Sequence, residues 1–129
     1  MRFMKAILTL SILISSIFAS EFYYEYGKKV KLDKANQTRA LDSNITYYKN
    51  RNNQIVGVKN EIIIKCKSDE ICLNLIKKYN FSNTQKLSEK FFLIILKKEQ
   101  NVFKLSSKLY HEDGVILSHP NFVKKRFKR

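Results

Sequence analysis

Six consecutive apolar residues, Phe91-Phe92-Leu93-Ile94-Ile95-Leu96, constrain this chain more than any other feature. Side chains alternate across a β-strand, so a run without alternation puts apolar groups on both sheet faces. Such a strand belongs inside a sheet, with helices over one face and something else against the other. The stretch from Val56 to Cys66, with Ile62-Ile63-Ile64 at its centre, is rich in β-branched residues and reads as a second strand of this kind.

The residues between and after these strands read as helices and edges. Ser68 is a good N-cap, and Asp69 and Glu70 follow in the first turn, where the helix dipole favours acids. Cys72, Leu75, Ile76 and Tyr79 recur at helical spacing and form one apolar face, which predicts a helix to about Tyr79. Asn83 to Ser88 is polar and extended, as an edge strand should be. Glu99 opens a second helix to about Tyr110, with Val102, Leu105 and Leu109 as its inner stripe and Phe103 and Ser106 beside it. His111-Glu112-Asp113-Gly114 ends that helix, and Val115 to Leu117 is the last strand.

This order predicts an α+β, ferredoxin-like βαββαβ domain: a four-stranded antiparallel sheet with two helices on one face. Its first and third strands are central, which suits the two most apolar segments. A small β-hairpin precedes it, where two alternating segments from Phe22 to Leu32 flank Gly27. Ile45 to Lys49 offers a further strand, and Arg51 to Gln54 a turn.

The segments then divide as a signal peptide over 1–20, a hairpin and strand extension over 21–55, the main domain over 56–123, and a basic tail over 124–129. The first segment has a short basic start with Arg2 and Lys5, an apolar run from Ala6 to Phe18, and small residues at Ala19 and Ser20. That is the layout of a secretory signal, so the chain is expected to be exported, to the periplasm or the medium. The remainder is long enough for one domain with a modest core.

The formal net charge is +14, and Arg2 and Lys5 supply two of those charges. Such a balance favours anionic partners. Abundant Lys, Asn, Ile, Phe and Tyr, with three Gly, one Pro and no Trp, are also what AT-rich coding writes whatever the function. Cys66 and Cys72 are an even pair in an exported chain and suggest a disulfide; the other reading is two buried thiols facing the core. No metal is expected, since two cysteines need two more ligands and His111 and His119 lie far along the chain.

Neither histidine lies in a catalytic motif, and the chain has no nucleophile elbow or Gly-rich phosphate loop. The expectation is therefore no enzyme, no catalytic residue and no cofactor, with His119 in a structural role before Pro120. The third strand instead points to binding. Whichever face meets the helices, either Phe92, Ile94 and Leu96 or Phe91, Leu93 and Ile95 are left on the other. Ile63 joins that open face if Ile62, Ile64 and Cys66 point inward. A contiguous exposed apolar patch marks an interface. It is covered by a partner, or by the Phe22–Leu32 hairpin folding over it.

The unit from Glu61 to Phe122 resembles the propeptide domain of subtilisin-like serine proteases. The resemblance rests on the order of strands and helices and on the strand Phe91–Leu96 following a Lys-Tyr-Asn helix end. It rests also on the close Val115 to Phe122, an apolar strand followed by Pro120-Asn121-Phe122. The aromatic stretch before Gly27-Lys28-Lys29-Val30-Lys31-Leu32 resembles the region upstream of some bacterial propeptides. His119 departs from the pattern, standing where that family usually carries Glu.

The resemblance implies an open sheet face packed on a protease, with Ile63, Phe92, Ile94 and Leu96 as contacts. It implies a turn motif at His119, Pro120 and Asn121. Beyond that turn, Phe122, Val123, Lys124, Lys125 and Arg126 would enter the protease groove. The expected function is an exported, stand-alone inhibitor or folding chaperone of a subtilisin-type serine protease, or the remnant of a truncated protease precursor. The competing expectation is a basic exported protein that binds lipid, nucleic acid or acidic polymer. Neither includes a small-molecule substrate.

Overall fold

Strand β4 (Ile55–Cys66) organises the molecule, because at twelve residues it is longer than any of the strands it pairs with. A computed structural model of the chain describes residues 20–34 and 45–124. Ahead of β4 come β1 (Ser20–Glu25), β2 (Lys28–Lys34) and β3 (Ile45–Lys49). After it come α1 (Asp69–Lys78), β5 (Thr84–Ser88), β6 (Phe91–Ile95), α2 (Val102–Tyr110) and β7 (Val115–Lys124).

The seven strands form one antiparallel sheet among the described residues, in the order β1-β2-β3-β4-β6-β5, with β7 along the other side of β4. This corrects the expected four-stranded, ferredoxin-like sheet with a separate hairpin ahead of it. The physical reason is backbone satisfaction. Strand β6 has five residues and pairs only Glu61 to Lys65 of β4. The N–H and C=O groups of the earlier half of β4 need another partner. Strand β3 supplies it, from Ile45 opposite Lys59 to Lys49 opposite Ile55. Strand β2 joins β3 through Asp33 and Lys34, which draws the hairpin into the same sheet.

The change of partner along β4 falls at an irregularity. Lys59 stands opposite Asn121 of β7, yet the next partner, Pro120, stands opposite Ile62. Asn60 and Glu61 are thus the extra residues of a bulge. The Asn60 side chain donates to the Lys97 carbonyl at 2.8 Å, and its own carbonyl accepts from Leu96 N–H at 3.0 Å. The bulge also explains how β7 tolerates proline. Pro lacks an N–H, so inside a sheet it sits at bulges or edges. The expected turn at His119, Pro120 and Asn121 is accordingly corrected: these residues are continuous strand, and β7 runs on to Lys124.

One face of β4 and β6 is the core. Ile62, Ile64 and Cys66 alternate with Phe92, Ile94 and Leu96 beneath Cys72 and Leu75 of α1 and Val102, Phe103 and Leu109 of α2. Burying an aliphatic or aromatic side chain of this size contributes about 1.5–3 kcal/mol. Ser68 caps α1, its Oγ accepting from Ile71 N–H at 3.3 Å. Helix α2 begins later than Glu99, at Val102, because Asn101 is the cap: its Oδ1 accepts from the N–H groups of Phe103 and Lys104. Ser118 of β7 is buried and donates to the Ser106 carbonyl at 2.8 Å, tying α2 to the sheet.

The hairpin turn is Tyr26-Gly27, with φ of 51° and 78° between paired Glu25 and Lys28. Two positive φ values in a two-residue loop match the twist of the flanking strands, and glycine takes one without steric cost. At Gly57 space is the constraint: an added Cβ would lie 2.7 Å from Ile45 Cγ2 and 3.2 Å from the Val123 carbonyl oxygen. There β3 and β7 crowd the middle strand from both sides.

Candidate functional site

The sheet face away from the helices is the candidate site, and register decides what it carries. Residues directly opposite in an antiparallel pair share a face. Ile62 faces Ile94 and Ile64 faces Phe92, all four within the core. Ile63 faces Leu93, Lys65 faces Phe91 and Glu61 faces Ile95, and all six are half-buried on the other side. Across β4, Ile63 also stands opposite His119 and Lys65 opposite Leu117.

The expected contact set is therefore corrected. Ile63 lies on the open face, but Phe92, Ile94 and Leu96 are 4%, 1% and 7% exposed and belong to the core. Phe91, Leu93 and Ile95 take their place. Ile63 and Phe92 could never have shared a face, since Phe92 pairs with Ile64.

The open face is thus an apolar strip, Phe91-Leu93-Ile95 on β6, Ile63 on β4 and Leu117 on β7, with strands about 4.8 Å apart. On β5 the residues opposite Leu93 and Phe91 are Gln85 and Ser88, and Leu87, at the irregularity beside Ser88, is 46% exposed. Charged and polar groups cross it at its ends. The Lys65 ammonium lies 5.1 Å from the Phe91 ring centroid, and Asn121 Nδ2 donates to Glu61 Oε1 at 2.9 Å.

The hairpin packs its aromatic residues against α2 and against the His119–Phe122 stretch of β7. Tyr24 stacks on Tyr110 of α2 at 5.2 Å between ring centroids, and the Gly27 N–H donates to the Tyr110 hydroxyl at 2.8 Å. Tyr23 meets Phe122 at 4.8 Å and His119 at 6.4 Å. These contacts pin β1 to α2 and β7, so the hairpin extends the sheet and leaves Leu93 with exposed surface.

Phe122, Val123 and Lys124 pair with Val58, Gly57 and Val56 of β4, and the Phe122 ring packs on Tyr23 and His119. They are ladder residues, not a free extension for a groove. Lys125 and Arg126, with the rest of the tail and residues 1–19 of the expected signal peptide (1–20), lie outside the described residues. His119 donates through Nδ1 to the Pro120 carbonyl at 2.7 Å and stacks on Phe122, a packing role. Cys66 and Cys72 are joined by a disulfide, with Cα atoms 5.6 Å apart, fixing the end of β4 to the first turns of α1.

A second polar cluster was not foreseen. The Tyr79 hydroxyl donates to Glu112 Oε2, which also accepts from the Lys78 ammonium at 3.1 Å. Burial first, then this bond to a carboxylate, push the Tyr79 phenol up to about 12. The bonds from Tyr79 and then Lys78 hold Glu112 below the ordinary carboxylate range. The pattern was hidden because Tyr79 and Glu112 are 33 residues apart. Among the described residues no group of three or more His, Cys, Asp and Glu is placed to hold a metal ion.

No family model matches this sequence, and neither a curated protein nor a solved structure is significantly similar to it.

Proposed function

We propose that this protein is an exported, non-catalytic binding domain that docks through its open sheet face onto a subtilisin-type serine protease, as a folding helper or inhibitor. The observation that carries the reading is the apolar strip around Ile63 and Leu93, on a face that no helix covers. Apolar surface of this kind gains about 25 cal/mol per Å² when a partner removes it from water. The protease enters as partner because of the sequence resemblance from Glu61 to Phe122. Export is supported by the pattern of residues 1–20 and by the Cys66–Cys72 disulfide. With Phe122, Val123 and Lys124 held in the ladder, docking in this form leaves those three out of the catalytic groove.

The experiment is to refold a denatured subtilisin-type protease with and without the purified protein and to follow peptide hydrolysis. The reading expects faster recovery of activity, or inhibition of the folded enzyme, at stoichiometric protein. No effect on either, across several such proteases, contradicts it.

A second reading has its own observation. Lys and Arg total 25 against 11 Asp and Glu. Among the described residues only Lys78–Glu112 and Lys86–Asp69 form salt bridges. A surface with that excess attracts anionic polymer or lipid. Such binding falls steeply with salt, whereas docking by the apolar face does not.

A further inference from the structure

A separate cleft lies between β1 and α2, on the helix side of the molecule. Its volume is about 430 Å³, within the range of small-molecule sites, roughly 300–1,000 Å³. Its walls are largely aromatic. Phe22 and Tyr24, two apart on β1, stand edge to face at 6.0 Å, and Phe103 of α2 closes the inner side at 5% exposure.

The polar groups around it are mostly cationic. Lys104 and Lys108, four apart on α2, both line the cleft. Like charges at that spacing repel by about 0.2–0.5 kcal/mol. The Lys108 ammonium leans over the Tyr79 ring at 5.7 Å, while Lys104 takes part in neither salt bridge of the described residues. A third cation, the Lys29 ammonium, sits 3.9 Å above the Phe22 centroid. Glu21 is the one acid of the lining, and His111 completes the polar edge with its Nδ1 2.8 Å from the Ser107 carbonyl. Ser107 also lines the cleft, and its hydroxyl is sealed from solvent without a hydrogen-bond partner. A buried polar group left so costs about 1–3 kcal/mol.

Aromatic walls and a cationic excess select one ligand class. We propose that this cleft binds an amphiphilic carboxylate, with its apolar body between Phe22, Tyr24 and Phe103 and its carboxylate beside Lys104. A neutral apolar molecule would fill the same walls but leave the lysines unrelieved. A small anion such as acetate would meet the charge but leave the rings wet. The proposal is independent of the sheet-face reading, since the cleft shares no residue with Ile63, Phe91, Leu93 or Ile95.

The test is titration of the full, purified chain with decanoate below its micellar concentration, followed by amide chemical shifts. Decanol is the neutral control and Leu93→Asp the control for the sheet face. The expected result is saturable shifts at Phe22, Tyr24, Phe103 and Lys104, unchanged by Leu93→Asp, with decanol binding more weakly. K104Q should weaken decanoate about threefold and K104Q with K108Q about tenfold, leaving decanol unaffected, since exposed charge contacts are each worth up to about 1 kcal/mol. Both are surface substitutions, and an unchanged amide spectrum without ligand reports that the fold is kept. Absence of saturable shifts, equal binding of decanoate and decanol, or shifts centred on Leu93 would each overturn it.

Discussion

Ile63 stands opposite Leu93 on the open face of the sheet, while its neighbours Ile62 and Ile64 stand opposite Ile94 and Phe92 beneath the helices. That one-residue alternation separates core from candidate interface. It predicts unequal costs for identical truncations. Ile62→Ala removes a fully buried side chain and should cost about 2–5 kcal/mol in chemical denaturation. Ile63→Ala, on the half-buried face, should cost less than half as much. Equal losses would mean that the face assignment is wrong.

The disulfide gives a second prediction. Cys66 and Cys72 close a loop with a sequence separation of 6. Loop-closure entropy for so short a ring is worth about 2 kcal/mol. Replacing both with alanine should lower unfolding stability by about that amount and leave circular dichroism unchanged. An undiminished stability would show that the bridge constrains nothing the fold does not already hold.

Lys90 gives a third. It ends the β5–β6 turn with φ 72°, a region that costs a side-chain-bearing residue about 1–2 kcal/mol. Its N–H, bonded to Asp69 Oδ1 at 2.6 Å, would be kept by glycine. Glycine's extra freedom in the unfolded chain offsets about 0.5–1 kcal/mol. Lys90→Gly should therefore raise the melting temperature slightly. A fall would show that the lysine side chain contributes more than the strain costs.

The pH dependence has a sign at each end. Asp69 is held below its ordinary value by hydrogen bonds from the Lys86 ammonium and then the Lys90 N–H, and Glu112 by Tyr79 and then Lys78. A depressed carboxylate stabilises the fold above its unfolded value, near 4, and that stabilisation is lost as pH falls through the folded one. Tyr79, pushed up to about 12, acts in reverse: its contribution is present below about 10 and is lost as pH rises toward 12. Melting curves should fall at both extremes. Asp69→Asn should flatten the acid arm and Tyr79→Phe the alkaline one. Arms unchanged by these substitutions would contradict the assignment.

The parts of the fold legible from sequence were those fixed locally. The Ser68 cap with Asp69 and Glu70 behind it and the stripe of Cys72, Leu75, Ile76 and Tyr79 mark α1 wherever the chain goes. The misread parts depend on distant partners. Phe91–Leu96 has no alternation, so only pairing with β4 could say that Phe92 and Ile94 face inward. The bulge at Asn60 and Glu61 carries no local signal, yet it lets β4 change partner from β3 to β6 and so brings seven strands into one sheet. Pro120 read as a turn because proline usually ends strands; the same bulge keeps it within β7. The length of β4 against the five residues of β6 was the one available hint that a further strand must pair there.

The proposed docking of a protease on the face bearing Leu93 can be measured by calorimetric titration of a subtilisin-type protease, inactivated at its nucleophile, with wild-type protein and with Leu93→Asp. A carboxylate placed in the middle of the strip should weaken binding by a hundredfold or more, about 3 kcal/mol, because a buried charge without a partner is costly to desolvate. Raising the salt concentration should leave the wild-type affinity nearly unchanged. Equal affinity for the two proteins, or wild-type binding that vanishes with salt, would contradict the claim.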